Sequence, residues 1–426
     1  MLKRKINYLL VFVAILAAFP NLAEAQSVIS SPYSRFGVGN VNSFNNPINN
    51  AMGGVGYGFQ RNNSINYMNP ASYAGIDTVS LVFDIGFYSE WISLKTDQYN
   101  SNGNNTSLSH ILFGIPVGPK LKFVVGIMPM SSVNFTTSKA IVSPEIGKYR
   151  EEYSADGGLN KAALGFAYEP INNLSFGVNF EYIFGNYYKA STISFPDSLY
   201  MFSSRVENNY HVRSLNINLG VQYFQPLNNG DKLGIGIVYD YLSKFPTDNI
   251  LSSYTFTTSA GLDYLKDSIR EATESNSITY PATIGLGFSY ERPNKFFVGI
   301  DGKYETWSDF LFQKDLLNNN LVNSFRLSMG GEWKPDAYGN FFKKSIYRFG
   351  FFYDDGMLEL NNTRISQLGI SCGFGFPIKK SNTMINLSFE YVKRGTTRND
   401  LIQEDYFRLG LSFSAKDMWF FKRKYQ

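Results

Sequence analysis

The nine residues from Leu174 to Tyr182, LSFGVNFEY, alternate between large apolar side chains and small or polar ones. The even-numbered positions are all apolar, and the odd-numbered positions are serine, glycine, asparagine and glutamate. Because successive side chains of a strand point to opposite faces, one face of this strand is apolar and the other tolerates water. Such a strand is typical of a wall between lipid and an aqueous lumen.

Segments with the same two-residue period recur along the chain, and the pattern predicts about fourteen of them. They lie at 79–94, 107–117, 121–136, 159–169, 173–189, 205–225, 232–245, 276–290, 295–308, 322–334, 345–356, 364–377, 382–395 and 405–414. In a bilayer every backbone N–H and C=O must be paired within the protein, so alternating strands cross only as a closed barrel. A soluble β-sandwich would also alternate, but aromatic residues are 16% of this chain and would give it a large adhesive surface. We predict an all-β fold, a transmembrane antiparallel β-barrel over residues 78–414.

Residues 1–25 have the organisation of a signal peptide. Three cationic residues at 3–5 precede an apolar run and the sequence Ala23-Glu24-Ala25, so the mature chain is expected to start at Gln26. No later apolar run reaches the 18 residues of a spanning helix. Export together with a barrel pattern predicts the outer membrane of a Gram-negative bacterium.

The chain offers little for chemistry. Its net charge is +4, which gives no case for nucleic acid, and its two histidines and single cysteine have no ligand spacing. Ser109 and His110 are adjacent, which in a strand directs them to opposite faces and leaves His110 only a cross-strand partner. We therefore predict that the protein is not an enzyme and has no catalytic residue, metal or cofactor.

Residues 26–77 match neither the leader nor the strands. Glycines 53, 54, 56 and 58 lie within six residues, and Asn69-Pro70-Ala71 follows. Glycine runs let a backbone approach another surface closely, and Pro70 removes a backbone donor. We expect a compact, irregular N-terminal hatch or plug. A phosphate-binding loop would need a preceding strand and a following helix, which the sequence lacks here.

The predicted connections alternate between short and long. Short turns of such barrels face the periplasm, and lysines concentrate on that side. Residues 415–426 form a predicted periplasmic basic and aromatic tail. This charge is either an ordinary solvated rim or a docking surface for a periplasmic or outer-membrane partner. The candidate docking residues are Lys416, Trp419, Phe420, Lys422, Arg423 and Lys424.

Three segments in order carry a resemblance to a known family. They are AMGGVG with Asn69-Pro70-Ala71 near the N-terminus, YPATIGLGFSYERPNKFFVGIDGKYETWSDF at 280–310, and YRFGFFYD at 347–354. This ordered set resembles the FadL/OmpP1/TodX family of outer-membrane transport proteins. In the second segment the residues in matching order are Pro281, Gly285, Asp301, Trp307 and Ser308.

The resemblance implies that the N-terminal segment folds into the lumen as a hatch and that hydrophobic substrates leave sideways beside a kinked third strand. The third predicted strand contains Pro129, whose missing N–H interrupts a ladder. The interruption indicates either a gap in the wall or a bulge near the outer rim. We hypothesise that Asn69-Pro70-Ala71 packs against Pro129. The candidate hatch and gate residues are Gly53, Gly54, Asn69, Pro70, Ala71 and Pro129.

Two functions remain open on this evidence. One is a FadL-like channel for passive uptake of small hydrophobic molecules, gated by the hatch and open sideways through the wall. The other is a non-transporting accessory barrel of an outer-membrane secretion or assembly complex. The expected partners are outer-membrane lipid, a hydrophobic small-molecule substrate in the first case and protein subunits in the second.

Overall fold

The computed structural model describes residues 31–41, 46–195, 201–241, 243–259, 262–312, 320–336, 339–378, 381 and 383–418. The predicted leader and the expected N-terminus at Gln26 lie outside these residues. The strands are β1 (Asn40–Val41), β2 (Ser80–Lys95), β3 (Asn100–Pro116), β4 (Leu121–Ser143), β5 (Gly147–Ile171), β6 (Leu174–Ser194), β7 (Ser203–Pro226), β8 (Lys232–Asp240), β9 (Ser243–Ser259), β10 (Leu262–Tyr280), β11 (Thr283–Arg292), β12 (Phe296–Glu305), β13 (Leu311–Phe312), β14 (Ser324–Trp333), β15 (Ile346–Asp354), β16 (Glu359–Leu360), β17 (Thr363–Arg364), β18 (Gln367–Pro377), β19 (Met384–Arg394) and β20 (Gln403–Met418).

The helical segments of the described residues are all short. They are Pro32–Arg35, Pro47–Asn50, Pro70–Gly75, Trp307–Asp309, Phe341–Lys344 and Arg398–Asp400. Within the described ranges, no helix has the length and apolar character needed to span a membrane.

Fourteen strands close into one antiparallel barrel. Neighbours follow chain order from β2 to β8, continue through β11, β12, β14, β15, β18 and β19 to β20, and β20 pairs back onto β2. Closure gives every wall strand a paired neighbour on both sides, as expected where an unpaired backbone group is costly. The predicted fold class is confirmed.

The alternation in LSFGVNFEY becomes the two faces of β6. Phe176 and Phe180 are exposed on the outer surface, whereas Asn179 and Glu181 are buried towards the lumen. The inner face is therefore polar and the outer face apolar, as the period-two pattern predicts.

The wall is much taller on one side than on the other. The strands from β11 to β19 that form the wall have 9 to 11 residues, which is enough to cross the apolar band. By contrast β4, β5, β6 and β7 have 23, 25, 21 and 24 residues. Since about ten tilted residues cross the membrane, these four strands continue beyond it.

The extension contains a hairpin that the sequence pattern missed. No strand was predicted between 232–245 and 276–290, yet β9 and β10 pair along this stretch, and β9 also pairs with the first half of β7. Outside the bilayer neither face of a sheet meets lipid, so the apolar alternation that marks the other strands is absent there. β9 buries one face, with Phe245, Thr247 and Asn249 on it, but most residues of this face are polar, so the stretch has the sequence pattern of a loop.

The two ends of the barrel differ in their connections. At one end, here the short-turn end, tight turns such as 117–120 and 172–173 join the strands. At the other, the long-loop end, lie the hairpin and the connections 306–323, 355–366 and 395–402. Residues 31–41 and 46–77 lie inside the barrel along its length, with Tyr33 against the long-loop end and Arg61 at the short-turn end.

Candidate functional site

The N-terminal plug, residues 46–77, packs its backbone directly on the inner wall. A Cβ at Gly177 would overlap the backbone of Pro70 and Ala71, and one at Gly220 would overlap Asn69. The same overlap with plug atoms would occur at Gly114, Gly165, Gly236, Gly285, Gly287, Gly299, Gly330, Gly350 and Gly373. The inner wall is thus a band of glycines shaped to the plug, since only glycine admits so close an approach.

The glycine run of the plug holds a carboxylate of the wall. The N–H groups of Gly56 and Tyr57 donate to Asp301 Oδ2 on β12, at 2.7 and 2.8 Å. Successive backbone N–H groups of this kind form a nest for an anion. The Tyr57 carbonyl in turn accepts from Gln222 Nε2 at 2.7 Å and from Asn69 Nδ2 at 2.9 Å. GGVGYG is therefore an anion-binding segment, and the anion is part of the barrel itself.

Gly53 and Gly54 are turn residues of the plug. Their φ angles are +69° and +90°, which side-chain-bearing residues rarely adopt, and they end the short helix Pro47–Asn50. Gly53 N donates to Ser371 Oγ on β18 at 3.0 Å. Both glycines thus fix the path of the plug against β15 and β18.

Asn69, Pro70 and Ala71 open a second turn of the plug. The Asn69 side chain caps the 3-10 helix Pro70–Gly75 by accepting from Ala71 N at 3.0 Å, and its Nδ2 also approaches the Val221 carbonyl of β7 at 3.3 Å. Two tyrosines nearby bind the wall through their hydroxyls: Tyr67 to Glu181 at 2.5 Å and Tyr73 to Asn179 at 3.0 Å. This turn is fastened to β6 and β7.

The hypothesis that Asn69-Pro70-Ala71 packs against Pro129 is wrong. The tripeptide contacts Gly177 of β6. Gly177 pairs with Ala167 of β5, and Ala167 pairs with Lys122 of β4, so the tripeptide lies at the height of Lys122 in the wall. Pro129 lies seven residues further along β4, roughly 23 Å away at about 3.3 Å per residue. The sequence could not reveal this, because the receiving glycines are spread over two strands far from the tripeptide in the chain.

Pro129 instead marks a seam in the wall. Pairing between β3 and β4 covers only Ile111–Pro116 and Lys122–Ile127 and stops two residues before Pro129. Beyond that level β3 pairs with β2 alone, and β4 shifts its register on β5 between Pro129 and Ser131. Proline has no N–H to offer the missing neighbour, so it suits the position where a ladder ends.

The strand β1 occupies the edge of β4 at the seam. Asn40 pairs with Ser132 and Val41 with Ser131. Nearby, Tyr33 OH donates to the Ile402 carbonyl at 2.8 Å, and the Ser31 hydroxyl binds Glu404. The segment before the plug is thus attached to both β4 and the β19–β20 connection.

An apolar cluster closes the lumen towards the long loops. Its buried members from the N-terminal segment are Tyr33, Phe36 and Val38. From the wall and loops they include Met130, Leu159, Ile183, Phe245, Trp307, Phe310, Leu321 and Leu401. These side chains fill the described part of the lumen at the long-loop end.

Two cavities inside the barrel are small and have charged residues in their linings. One of about 140 Å³ lies between the plug and β6 to β14 and is lined by Glu181, Asp240 and Lys303 among others. Another of about 120 Å³ lies behind the seam, between Ser109 and Pro129. Its lining includes Arg408, which pairs with Glu390 at 2.8 Å and also with Glu90. The first lining also includes Tyr67, Met130 and Tyr280, whereas the polar lining of the second suits water better than an apolar solute.

A serine, a histidine and an aspartate meet behind the same seam. Ser109 Oγ lies 3.0 Å from His110 Nδ1, and His110 Nε2 lies 3.1 Å from Asp84 Oδ1. The expectation that Ser109 and His110 point to opposite faces is wrong, because a bulge opposite Gly86 turns both inward. His110 and Asp84 are fully buried, and Asp84 also accepts a long contact from the plug at Ile65 N, 3.5 Å.

Of the predicted docking residues, Lys416 lies within the described structure. It belongs to β20, which runs on to Met418, and its ammonium pairs with Asp77 at the end of the plug. Lys416 therefore fastens the plug to the wall. Trp419, Phe420, Lys422, Arg423 and Lys424 lie outside the described residues.

The arrangement defines a class: a fourteen-stranded barrel whose N-terminal segment fills the lumen, with the fold of the FadL-type outer-membrane channels. A FadL homologue of Pseudomonas aeruginosa shares 14% identity at a TM-score of 0.61, over 89% of this chain and 99% of that one. The CymD monoaromatic hydrocarbon channel shares 15% (TM-score 0.58; 89% and 98%), and the Ralstonia pickettii toluene transporter TbuX shares 12% (TM-score 0.57; 88% and 98%). These likenesses confirm the predicted resemblance at the level of the fold.

The chain itself belongs to the BamG family, whose model matches residues 1–426. No curated protein matches it. The family model and the structural neighbours therefore carry different names.

Proposed function

We propose that this protein is a non-conducting accessory barrel, held in the outer membrane of a Gram-negative bacterium as a subunit of an outer-membrane protein assembly or secretion complex. The observation that carries the proposal is the fastening of the plug. It rests on a glycine-lined inner wall and is bonded to strands on opposite sides of the barrel.

The attachments are too many for frequent opening. Two backbone N–H groups bind Asp301, and Arg61 pairs with both Glu291, at 2.9 Å, and Glu332. A hydrogen bond to a charged group contributes about 1.5 to 3 kcal/mol, and removing one partner leaves the other buried and unpaired. Releasing the plug would break these bonds together and also separate the glycine band from its partner surface.

The charged cavities support the same conclusion. A conduit for apolar molecules is lined mainly by hydrophobic and aromatic side chains with few polar groups. Behind the seam, however, Glu90, Glu390 and Arg408 form an ion-pair network. A barrel that conducts nothing can still serve as a rigid, membrane-fixed body on which other subunits assemble.

Purification from native membranes under mild detergent tests the proposal. We expect the protein in a stoichiometric complex, and we expect the isolated barrel to give no single-channel conductance and no uptake of toluene into liposomes. A barrel that purifies alone and admits toluene at rates well above empty liposomes would overturn it.

The second candidate is the passive channel for small hydrophobic molecules, and the seam favours it. An interruption between β3 and β4 beside a cavity is a plausible side exit, and hydrocarbon channels share this fold. Under this alternative, replacing Pro129 by Val should lower toluene uptake severalfold. Pro226→Val, at the short-turn end, is the matched control.

A further inference from the structure

Beyond the seam, one long edge of the wall has no neighbour among the described residues. From Val133 to Ser143, β4 pairs with β5 on one side only. The sequence there, VNFTTSKAIVS, is rich in β-branched residues and has a single charge, Lys139. A long, flat edge of this composition presents a row of backbone donors and acceptors to another chain.

The edge already accepts a strand at its lower end. Asn40 and Val41 pair antiparallel with Ser132 and Ser131, directly before Val133. The pairing ends at Asn40; Gly39, with φ +90°, still lies against Ser132 and Val133, and Val38 before it belongs to the buried apolar cluster. From Val133 onward the same edge of β4 continues with backbone N–H and C=O groups that can pair with another antiparallel strand.

This edge lies outside the apolar band. Eleven residues separate Lys122, at the short-turn end, from Val133. At about 3.3 Å per residue and a tilt of about 45°, they rise roughly 25 Å, the height of the band. The free edge is therefore in water at the long-loop end, where a partner protein can reach it.

We propose that the β4 edge from Val133 to Ser143 is the docking strand for an extended segment of a partner subunit, which adds to the sheet through backbone hydrogen bonds. The proposal rests on the proposed accessory function and names the site of contact. Lys139 is the one charge of the edge and already lies opposite Glu151 of β5, so the segment that fits best is uncharged and rich in β-branched residues. Antiparallel pairing of two copies of this chain is the competing occupant.

Amide hydrogen exchange tests the proposal in the native complex and in the isolated barrel. In the isolated barrel we expect every second amide from Val133 to Ser143 to exchange fast, because alternate N–H groups of an edge strand have no partner. In the complex we expect these amides to slow at least tenfold. A photo-crosslinker at Ser138 should map to an extended segment of a co-purifying subunit.

A pair of proline variants provides the control. Of the neighbours Thr136 and Thr137, one directs its N–H to β5 and the other to the seam. The variants are Thr136→Pro and Thr137→Pro. The one that removes the N–H facing the seam should leave the barrel folded and abolish the slow amide exchange of the edge in the complex. The other removes an N–H that faces β5 and should disturb the β4–β5 ladder.

The outcomes separate this inference from the function on which it rests. An intact complex whose β4 edge exchanges as fast as in the isolated barrel overturns the docking strand alone. Protection that appears in the isolated barrel with rising concentration assigns the edge to a second copy and also overturns it. A barrel that purifies without partners overturns both.

Discussion

The carboxylate of Asp301, on β12 of the wall, accepts a hydrogen bond from the backbone N–H of Tyr57 in the plug at 2.8 Å. Asp301 is 3% exposed, and its other oxygen has no partner in the described part of the chain. A buried charge of this kind persists only when neighbouring groups bind it. The contact joins the two features that define this protein, the glycine-rich plug and the closed barrel.

Removing the Asp301 carboxylate should loosen the plug. Asp301→Leu leaves the N–H groups of Gly56 and Tyr57 buried without an acceptor, so we expect a loss of about 2 to 5 kcal/mol in the free energy of unfolding. Trypsin cleavage after Arg61, which the closed barrel shields, should rise in parallel. Asp301→Asn retains an acceptor and should have a smaller effect, and Asp267→Asn on the exposed hairpin should have none. Equal resistance to trypsin in wild type and Asp301→Leu would contradict the role given to this contact.

A methyl group on the glycine band should displace the plug. In Gly177→Ala the new Cβ meets the backbone of Pro70 and Ala71, and overpacking of this kind costs about 1 to 3 kcal/mol. At Gly302 the nearest atom to a new Cβ is 3.7 Å away, so Gly302→Ala should change stability by less than about 0.5 kcal/mol. Denaturant midpoints in detergent compare the two variants. Similar midpoints would show that the close approach at Gly177 is not stabilising.

The plug should weaken in alkali. Burial raises the pKa of Tyr57 well above 10, with Asp301 adding to the shift, and burial with Glu181 does the same for Tyr67. Since the folded state holds these hydroxyls neutral, their contribution is complete below pH 10 and is lost as the pH rises above that value. Tyr57→Phe removes one titrating group, so its stability should fall less steeply between pH 10 and 12 than that of the wild type. Parallel pH profiles of unfolding would refute this linkage.

Ser109, His110 and Asp84 should be structural. The hydrogen bonds of His110 to Ser109 and Asp84 hold the bulge of β3 under the plug. We expect no covalent labelling of the purified protein by a fluorophosphonate. We also expect His110→Phe to be destabilised by about 1 to 3 kcal/mol, because Asp84 loses a buried partner. Labelling that disappears in Ser109→Ala would instead assign a hydrolase site to the seam.

The wall could be predicted strand by strand wherever lipid lies on one side. Every predicted strand overlaps an observed one, from 79–94 against β2 to 405–414 against β20. The misses are at the long-loop end, where β5 begins at Gly147 rather than 159 and β9 and β10 replace a predicted loop. Lipid imposes the alternating pattern, so strand residues outside the bilayer carry no trace of it.

The candidate site was predicted in part. Gly53, Gly54, Asn69, Pro70 and Ala71 all lie in the plug, but they fix its path rather than contact Pro129. The glycines that receive the plug were missed, because an inward-facing glycine in a strand has the same pattern as any small lumenal residue. A count of glycines at inward positions, opposite a glycine-rich segment, is the signal that could have revealed them.

The amino-acid sequence by itself determined the closed barrel, its inner and outer faces and the irregular N-terminal segment. These follow from local periodicity, and the bilayer allows only one architecture for such strands. Only the tertiary structure decided where the plug rests, that Pro129 ends a ladder at a seam, and that Ser109 and His110 share a face. Each of these depends on the register between distant strands, and a bulge of one residue alters that register without leaving a mark in the sequence pattern.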